Sequence, residues 1–255
     1  MFKRIALTVL VTALTVGLFG GYFFHIGKYA SRKSSETVCN KININILDSL
    51  ESGIVNKGEV LAIVSALASG RRIDSIDLYS IEKMLDNKGE IKKSEVFISH
   101  DGILDVEITQ RLPVVRFEKG SHHFYSDLYG YLFPVNHPVR VPVVTGAVKL
   151  DLEDGYRGYA DSASIGWIRQ IAGIAQYISK DSYWSRQIEQ LDIQGNGDIV
   201  LYTASGDRKF IFGDASAKEE KFKKMEVFYR DIAPQQEAGK YRTVNLKYKN
   251  QIICK

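Results

Sequence analysis

The 255-residue chain is short of cysteine, of proline and, outside one stretch, of long apolar runs. Each shortage excludes something. Two cysteines, Cys39 and Cys254, rule out a disulfide scaffold and a cysteine-ligated zinc cluster. They stand at opposite ends of the polar part of the chain, so no bond between them is expected. Five prolines and 21 glycines without a period rule out collagen-like and low-complexity sequence. Acidic side chains are missing from residues 1–33, which hold Lys3, Arg4, Lys28, Arg32 and Lys33. The whole chain has 34 Lys and Arg against 30 Asp and Glu, so 29 bases face 30 acids over 34–255. The basic excess therefore belongs to the N-terminus, and no nucleic-acid footprint remains elsewhere. No G-x-S-x-G, Walker A or H-E-x-x-H pattern occurs, so neither catalytic residues, nor a cofactor, nor a metal is expected. His122-His123 is the one histidine pair, and neighbours on a strand point to opposite faces, which does not suit a shared metal.

The one long apolar run is Ile5–Ile26, with 22 residues and no Asp, Glu, Lys or Arg. As a helix it would rise roughly 33 Å, enough to cross a bilayer core. Tyr22, Phe23, Phe24 and Tyr29 cluster toward one end, as an interfacial aromatic belt would. A cleaved signal peptide has an apolar region of only ~7–15 residues, so the expectation is an uncleaved anchor. Residues 1–4 are then a cytoplasmic leader, 5–26 the transmembrane helix and 27–37 a polar linker, with everything beyond outside the cytoplasm. Ala13, Gly17 and Gly21 recur every four residues on one face, and small residues so placed let two membrane helices approach closely.

The remainder predicts an α+β protein. Val38–Leu47 alternates like a half-buried strand. Asn56-x-x-Glu59 can cap a helix carrying Val60, Leu61, Val64, Leu67 and Ala68, which Gly70 stops. Asp77 can cap a second, with Leu78, Ile81, Met84 and Leu85 on one face. Val96 and Ile98 lead through the turn His100-Asp101-Gly102 to Leu104, Val106 and Ile108, with Asp105, Glu107 and Thr109 facing the other way. The order β-α-α-β-β closes at Pro113. Short strands follow over 114–117, 124–127 and 131–133, with Asp127 hydrogen-bonding in a turn beside Gly130. A helix after Ser162/Ser164 places Ile165, Ile168, Ile171, Ala175 and Ile178 together. A meander over 188–193, 199–202 and 208–212 precedes a helix opened by Ser216-x-x-Glu219, carrying Phe222, Met225, Phe228 or Tyr229, and Ile232. Tyr241–Ile253 reads as one final strand.

That strand is the most informative stretch. Val244, Leu246, Tyr248 and Ile252 alternate with Thr243, Asn245, Lys247, Lys249 and Gln251, and no acid occurs from Lys240 onward. An edge strand can accept a strand from another chain, but lysines on an edge also serve to prevent such pairing, and the residues alone leave both open.

These features together resemble the bacterial cell-division family FtsQ/DivIB, and the β-α-α-β-β unit resembles a POTRA domain. Arg111-Leu112-Pro113-Val114-Val115-Arg116 is similar to the family's junction. Phe124–Pro134 resembles its "Y-L-x-D-x-x-G-x-V-F" hairpin, with Asp127 and Gly130 in the Asp and Gly places. Val141–Gly146 is similar to its "L-P-x-L-x-G" segment, and Val244–Tyr248 with Asn250-Gln251 to its closing strand. The resemblance implies a POTRA-like domain over 38–112 and a β-rich domain with two or three helices over 113–255. It implies a non-enzymatic divisome scaffold that holds FtsB-like and FtsL-like proteins and other divisome membrane proteins. The C-terminal strand region is the implied partner surface, comprising Thr243, Val244, Asn245, Leu246, Lys247, Tyr248, Lys249, Asn250 and Gln251. The alternative is a POTRA-bearing assembly or secretion protein of the envelope, though such proteins usually carry several POTRA units or a barrel.

Overall fold

The computed structural model describes residues 13–28, 37–47, 53–99, 102–135, 137–235 and 240–255. Residues 13–28 form a helix, α1, exposed along its length. Among the described residues no helix is long and apolar enough to cross a membrane. The expected span begins at Ile5, and its first eight residues lie outside the described ones. Ala13, Gly17 and Gly21 all stand on α1, and a methyl group added at Gly17 or Gly21 would meet nothing within 4 Å.

The chain divides into two compact units, with the main boundary between Thr109 and Gln110 and residues 53–54 and 88–92 counted with the second. The first has the expected order: β1 (Lys41–Ile46), α2 (Lys57–Ala68), α3 (Leu78–Asp86), β2 (Ile91–Ile98) and β3 (Ile103–Gln110). The sheet order is β1-β3-β2, with β1 parallel to β3. Both helices start where the sequence offers a side-chain acceptor. Asn56 Oδ1 accepts from the Gly58 and Glu59 amides at 2.9 and 3.2 Å, and Asp77 Oδ1 from Ser80 at 3.0 Å. Leu104, Val106 and Ile108 are fully buried with Val60, Val64, Ala68, Ile81 and Leu85, while Asp105 and Glu107 face away. Two expected core members are not there. Leu61 is 41% exposed and Met84 46%, because each helix buries a narrower stripe than its apolar residues suggest. Of the 100–102 turn, only Gly102 is described. Its φ of 78° and a would-be Cβ 2.4 Å from the Val38 carbonyl oxygen admit no other residue.

The second unit is a ten-stranded sheet. Its strands are β4 (Val115–Lys119), β5 (His122–Ser126), β6 (Tyr131–Phe133), β7 (Val143–Gly146), β8 (Gly158–Tyr159), β9 (Ile188–Ile193), β10 (Ile199–Thr203), β11 (Lys209–Gly213), β12 (Thr243–Asn245) and β13 (Ile253–Cys254). The order is β13-β12-β11-β10-β9-β7-β4-β5-β6-β8. Parallel pairs join β4 to β7, β7 to β9 and β11 to β12, and the other pairs are antiparallel. The helices are α4 (Ser162–Lys180), α5 (Trp184–Gln187) and α6 (Lys218–Val227), the last continued by a π-turn over Phe228–Ile232. Ile168, Ile171, Ala175, Ile178, Phe222, Met225 and Phe228 bury against Phe117, Leu191, Leu201, Phe210, Phe212 and Val244. Phe222 joins Tyr177 at 4.5 Å between ring centres and Trp184 at 5.6 Å, tying α4, α5 and α6 together. Ser216 does not cap α6. Ala217, at φ 47°, is its N-cap, and the buried Lys221 holds that end instead, donating to the Asp214 carbonyl and to Asp214 Oδ1 at 2.8 and 2.7 Å.

The junction and hairpin motifs meet in this unit. Asp127 Oδ1 accepts from the Tyr129 and Tyr131 amides at 2.9 Å each, and Oδ2 from Arg111 Nη1 at 3.2 Å. The Arg111 guanidinium stacks 3.4 Å from the centre of the Tyr131 ring. Gly130, at φ 83°, completes the turn.

Candidate functional site

The final strand expected over 241–253 is two strands and a turn. β12 lies inside the sheet, parallel to β11 and antiparallel to β13, so its backbone is paired on both sides. The edge of the sheet is β13, not the 243–251 stretch. The reason lies in Asn250. At φ 58° it takes a left-handed conformation that asparagine tolerates better than most residues, and it turns the chain back.

Pairing geometry fixes what the new edge offers. Thr243 and Lys255 exchange both backbone hydrogen bonds at 2.9 Å. Cys254, opposite Val244, is therefore in the non-hydrogen-bonded position, and its N–H and C=O point away from β12. The Cys254 side chain packs toward the core, and burial pushes its thiol pKa up. Ile253 is 37% exposed on the opposite face.

The expected partner residues divide accordingly. Val244 and Leu246 are fully buried and hold the segment to the core, while Thr243 and Asn245 are half-buried within β12. Lys247, Tyr248, Lys249, Asn250 and Gln251 are exposed in the turn. Strict alternation would have put Tyr248 inward with Val244 and Leu246. Because the strand ends at Asn245, the ring is instead 51% exposed. The turn is anchored rather than loose. Lys224 on α6 donates to the Tyr248 carbonyl at 2.8 Å and approaches Glu220 at 3.3 Å. Lys247 Nζ reaches Asp198 Oδ2 at 2.7 Å, a hydrogen bond that raises the lysine's pKa, and its amide donates to Asn245 Oδ1 at 3.0 Å. Gly213 makes room for this arm, since a Cβ there would lie 2.7 Å from Lys247 Cγ. Lys247 is thus committed to an internal partner, whereas Lys249 makes no ion pair among the described residues.

His122 and His123 are both exposed on β5, and His122 Nδ1 lies 3.6 Å from Asp154 Oδ1.

The fold, with β13 left as the sheet's end strand among the described residues, defines a two-unit α+β protein whose first unit is POTRA-like, and a POTRA-like domain family model matches residues 37–109. A second model, described as FtsQ/DivIB, C-terminal related, matches residues 112–255. The chain belongs to the FtsQ/DivIB family, whose members are membrane-associated, non-enzymatic division proteins. A search of curated proteins returns no match.

Proposed function

We propose that this chain is a non-enzymatic, single-pass scaffold of the bacterial divisome that recruits an FtsB–FtsL-like pair through the C-terminal end of its large sheet. The observation that carries this is the juxtaposition of a free edge, β13, with the exposed Tyr248. Free backbone groups on β13 would pair with an incoming strand, supplying affinity with little sequence demand. Tyr248 would supply an aromatic anchor, of the kind enriched among interface hot spots. Lys249 would add a rim charge that speeds association with an acidic partner. Residues 5–26 would anchor the chain in the cytoplasmic membrane, with 1–4 in the cytoplasm, 27–37 as linker and 38–255 in the periplasm or cell exterior. The open surroundings of Gly17 and Gly21 suit close packing of α1, on the Ala13-Gly17-Gly21 face, against another membrane helix. Depletion is expected to give filaments that lack septa, and the tagged chain is expected to co-purify with FtsB-like and FtsL-like proteins. Normal septa with an export defect would contradict the reading.

A further inference from the structure

A second surface of the large unit has the makings of a binding site and plays no part in the C-terminal edge. It is a half-open cavity of about 430 Å³ where the start of β7, the end of α4 and α5 converge. Three guanidiniums line it, from Arg116, Arg140 and Arg186, against a single carboxylate, Glu189. Arg116 alternates with the buried Val115 and Phe117 on β4 and spends one terminal nitrogen on Glu118 at 2.6 Å, while its buried Nε has no acceptor. Arg140 and Arg186 are exposed and make no ion pair among the described residues. The floor is apolar, formed by Ile178 and Ile188.

The backbone beside these arginines distinguishes the kinds of ligand. Residues 139–142 run without secondary structure between Pro138 and the start of β7. Val139 donates its amide to the Tyr125 hydroxyl at 3.2 Å, and Pro142 accepts from the Arg116 amide at 3.0 Å. Among the described residues the amides of Arg140 and Val141 find no such partner. An irregular stretch with these two unpaired amides, flanked by two uncommitted guanidiniums and an apolar floor, fits a peptide backbone better than a lone small anion. Guanidinium forks match carboxylates in bidentate fashion, and the floor accepts an intervening apolar side chain.

We infer that this cavity is a docking site for an acidic peptide segment of a partner protein, one alternating carboxylate and apolar side chains, bound along 139–141 and held by Arg140 and Arg186. The test uses the full chain in detergent and two fluorescein-labelled peptides, Glu-Leu-Glu-Leu-Glu and its counterpart with Gln for every Glu, read by anisotropy at low salt. The acidic peptide is expected to bind at least about tenfold more tightly, a preference that fades as salt is raised. Arg140→Gln with Arg186→Gln is expected to abolish the preference while leaving tryptophan-monitored unfolding unchanged, because both side chains are exposed. The paired Lys replacements are expected to restore it in part, since they keep charge but lose the fork. Equal binding of the two peptides, or undiminished preference in the folded double Gln variant, would overturn the assignment. So would full displacement of the acidic peptide by inorganic phosphate at an ionic strength where chloride leaves it bound, which would make this a small-anion site.

Discussion

Replacing Asp127 by Ala removes one carboxylate that closes three contacts at once. Two are the amides of Tyr129 and Tyr131, and the third is the Arg111 guanidinium. The side chains of Arg111 and Asp127 are only 12% and 8% exposed, so water cannot readily take over. An unsatisfied buried donor costs ~1–3 kcal/mol, and a buried ion pair broken on one side costs ~3–5 kcal/mol. These overlap, so a loss of ~3–5 kcal/mol is expected rather than their sum. For a unit of this size that corresponds to roughly 6–20 °C in Tm. The assay is thermal unfolding followed by tryptophan fluorescence. The chain's two tryptophans, Trp167 and Trp184, both stand in this unit, so the signal reports on it alone. Asp127→Asn keeps an acceptor for the turn but not the charge, and should fall between wild type and Ala. Arg230→Ala, which breaks an exposed pair with Asp231 in the same unit, should leave the transition essentially where it is in wild type. If Asp127→Ala unfolds within about 1 kcal/mol of wild type, the hairpin does not depend on this carboxylate and the reasoning fails.

In the first unit, Leu104→Ala should cost ~2–5 kcal/mol, whereas Leu61→Ala, at a 41% exposed position, should cost much less by chemical denaturation; the reverse order would misplace the core. Lys221 and Ser216 together lower the Asp214 pKa from 3.8 to about 2. A carboxyl with a depressed folded-state pKa contributes stability above its unfolded value that is lost as pH falls, here between about pH 4 and pH 2. Asp214→Asn should flatten the acid limb of an unfolding-versus-pH curve in that window, and an unchanged limb would refute the linkage. A reporter fused after Lys255 should be active only outside the cytoplasm, with the chain retained in membranes at high salt. Recovery of a shortened, soluble chain beginning near Ser31 would instead mean a cleaved signal.

Local signals carried much of the architecture. Side-chain caps at Asn56 and Asp77, the period-two run through Leu104, Val106 and Ile108, and Asp127 beside Gly130 all act over a few residues, and all are found where the sequence places them. What escaped depends on distant partners. β8 is two residues long and is defined by its pairing with β6, and β7 by lying between β4 and β9. Leu61 and Met84 are apolar at core-like spacing, yet only neighbours from other elements decide how wide a helix stripe is covered. The C-terminal segment was legible as a strand packed inward but not in the turn that follows it. Val244 and Leu246 hold the segment inward as expected, while the left-handed Asn250 and the Lys224 contact turn the chain back, bury the edge of β12 and expose Tyr248. The arginines around the cavity beside β7 come from three separate stretches, and no spacing in the sequence unites them.

The central claim is that partner capture uses the β13 edge beside Tyr248. It is tested most directly by binding of the extracytoplasmic segment of an FtsB-like protein to the purified chain, compared with Tyr248→Ala and with Cys254→Pro. The proline removes an outward N–H while sparing the hydrogen bonds to β12. With folding verified by tryptophan fluorescence, each change is expected to weaken binding by about tenfold or more. Wild-type affinity in both folded variants would contradict the account and place the partner surface elsewhere.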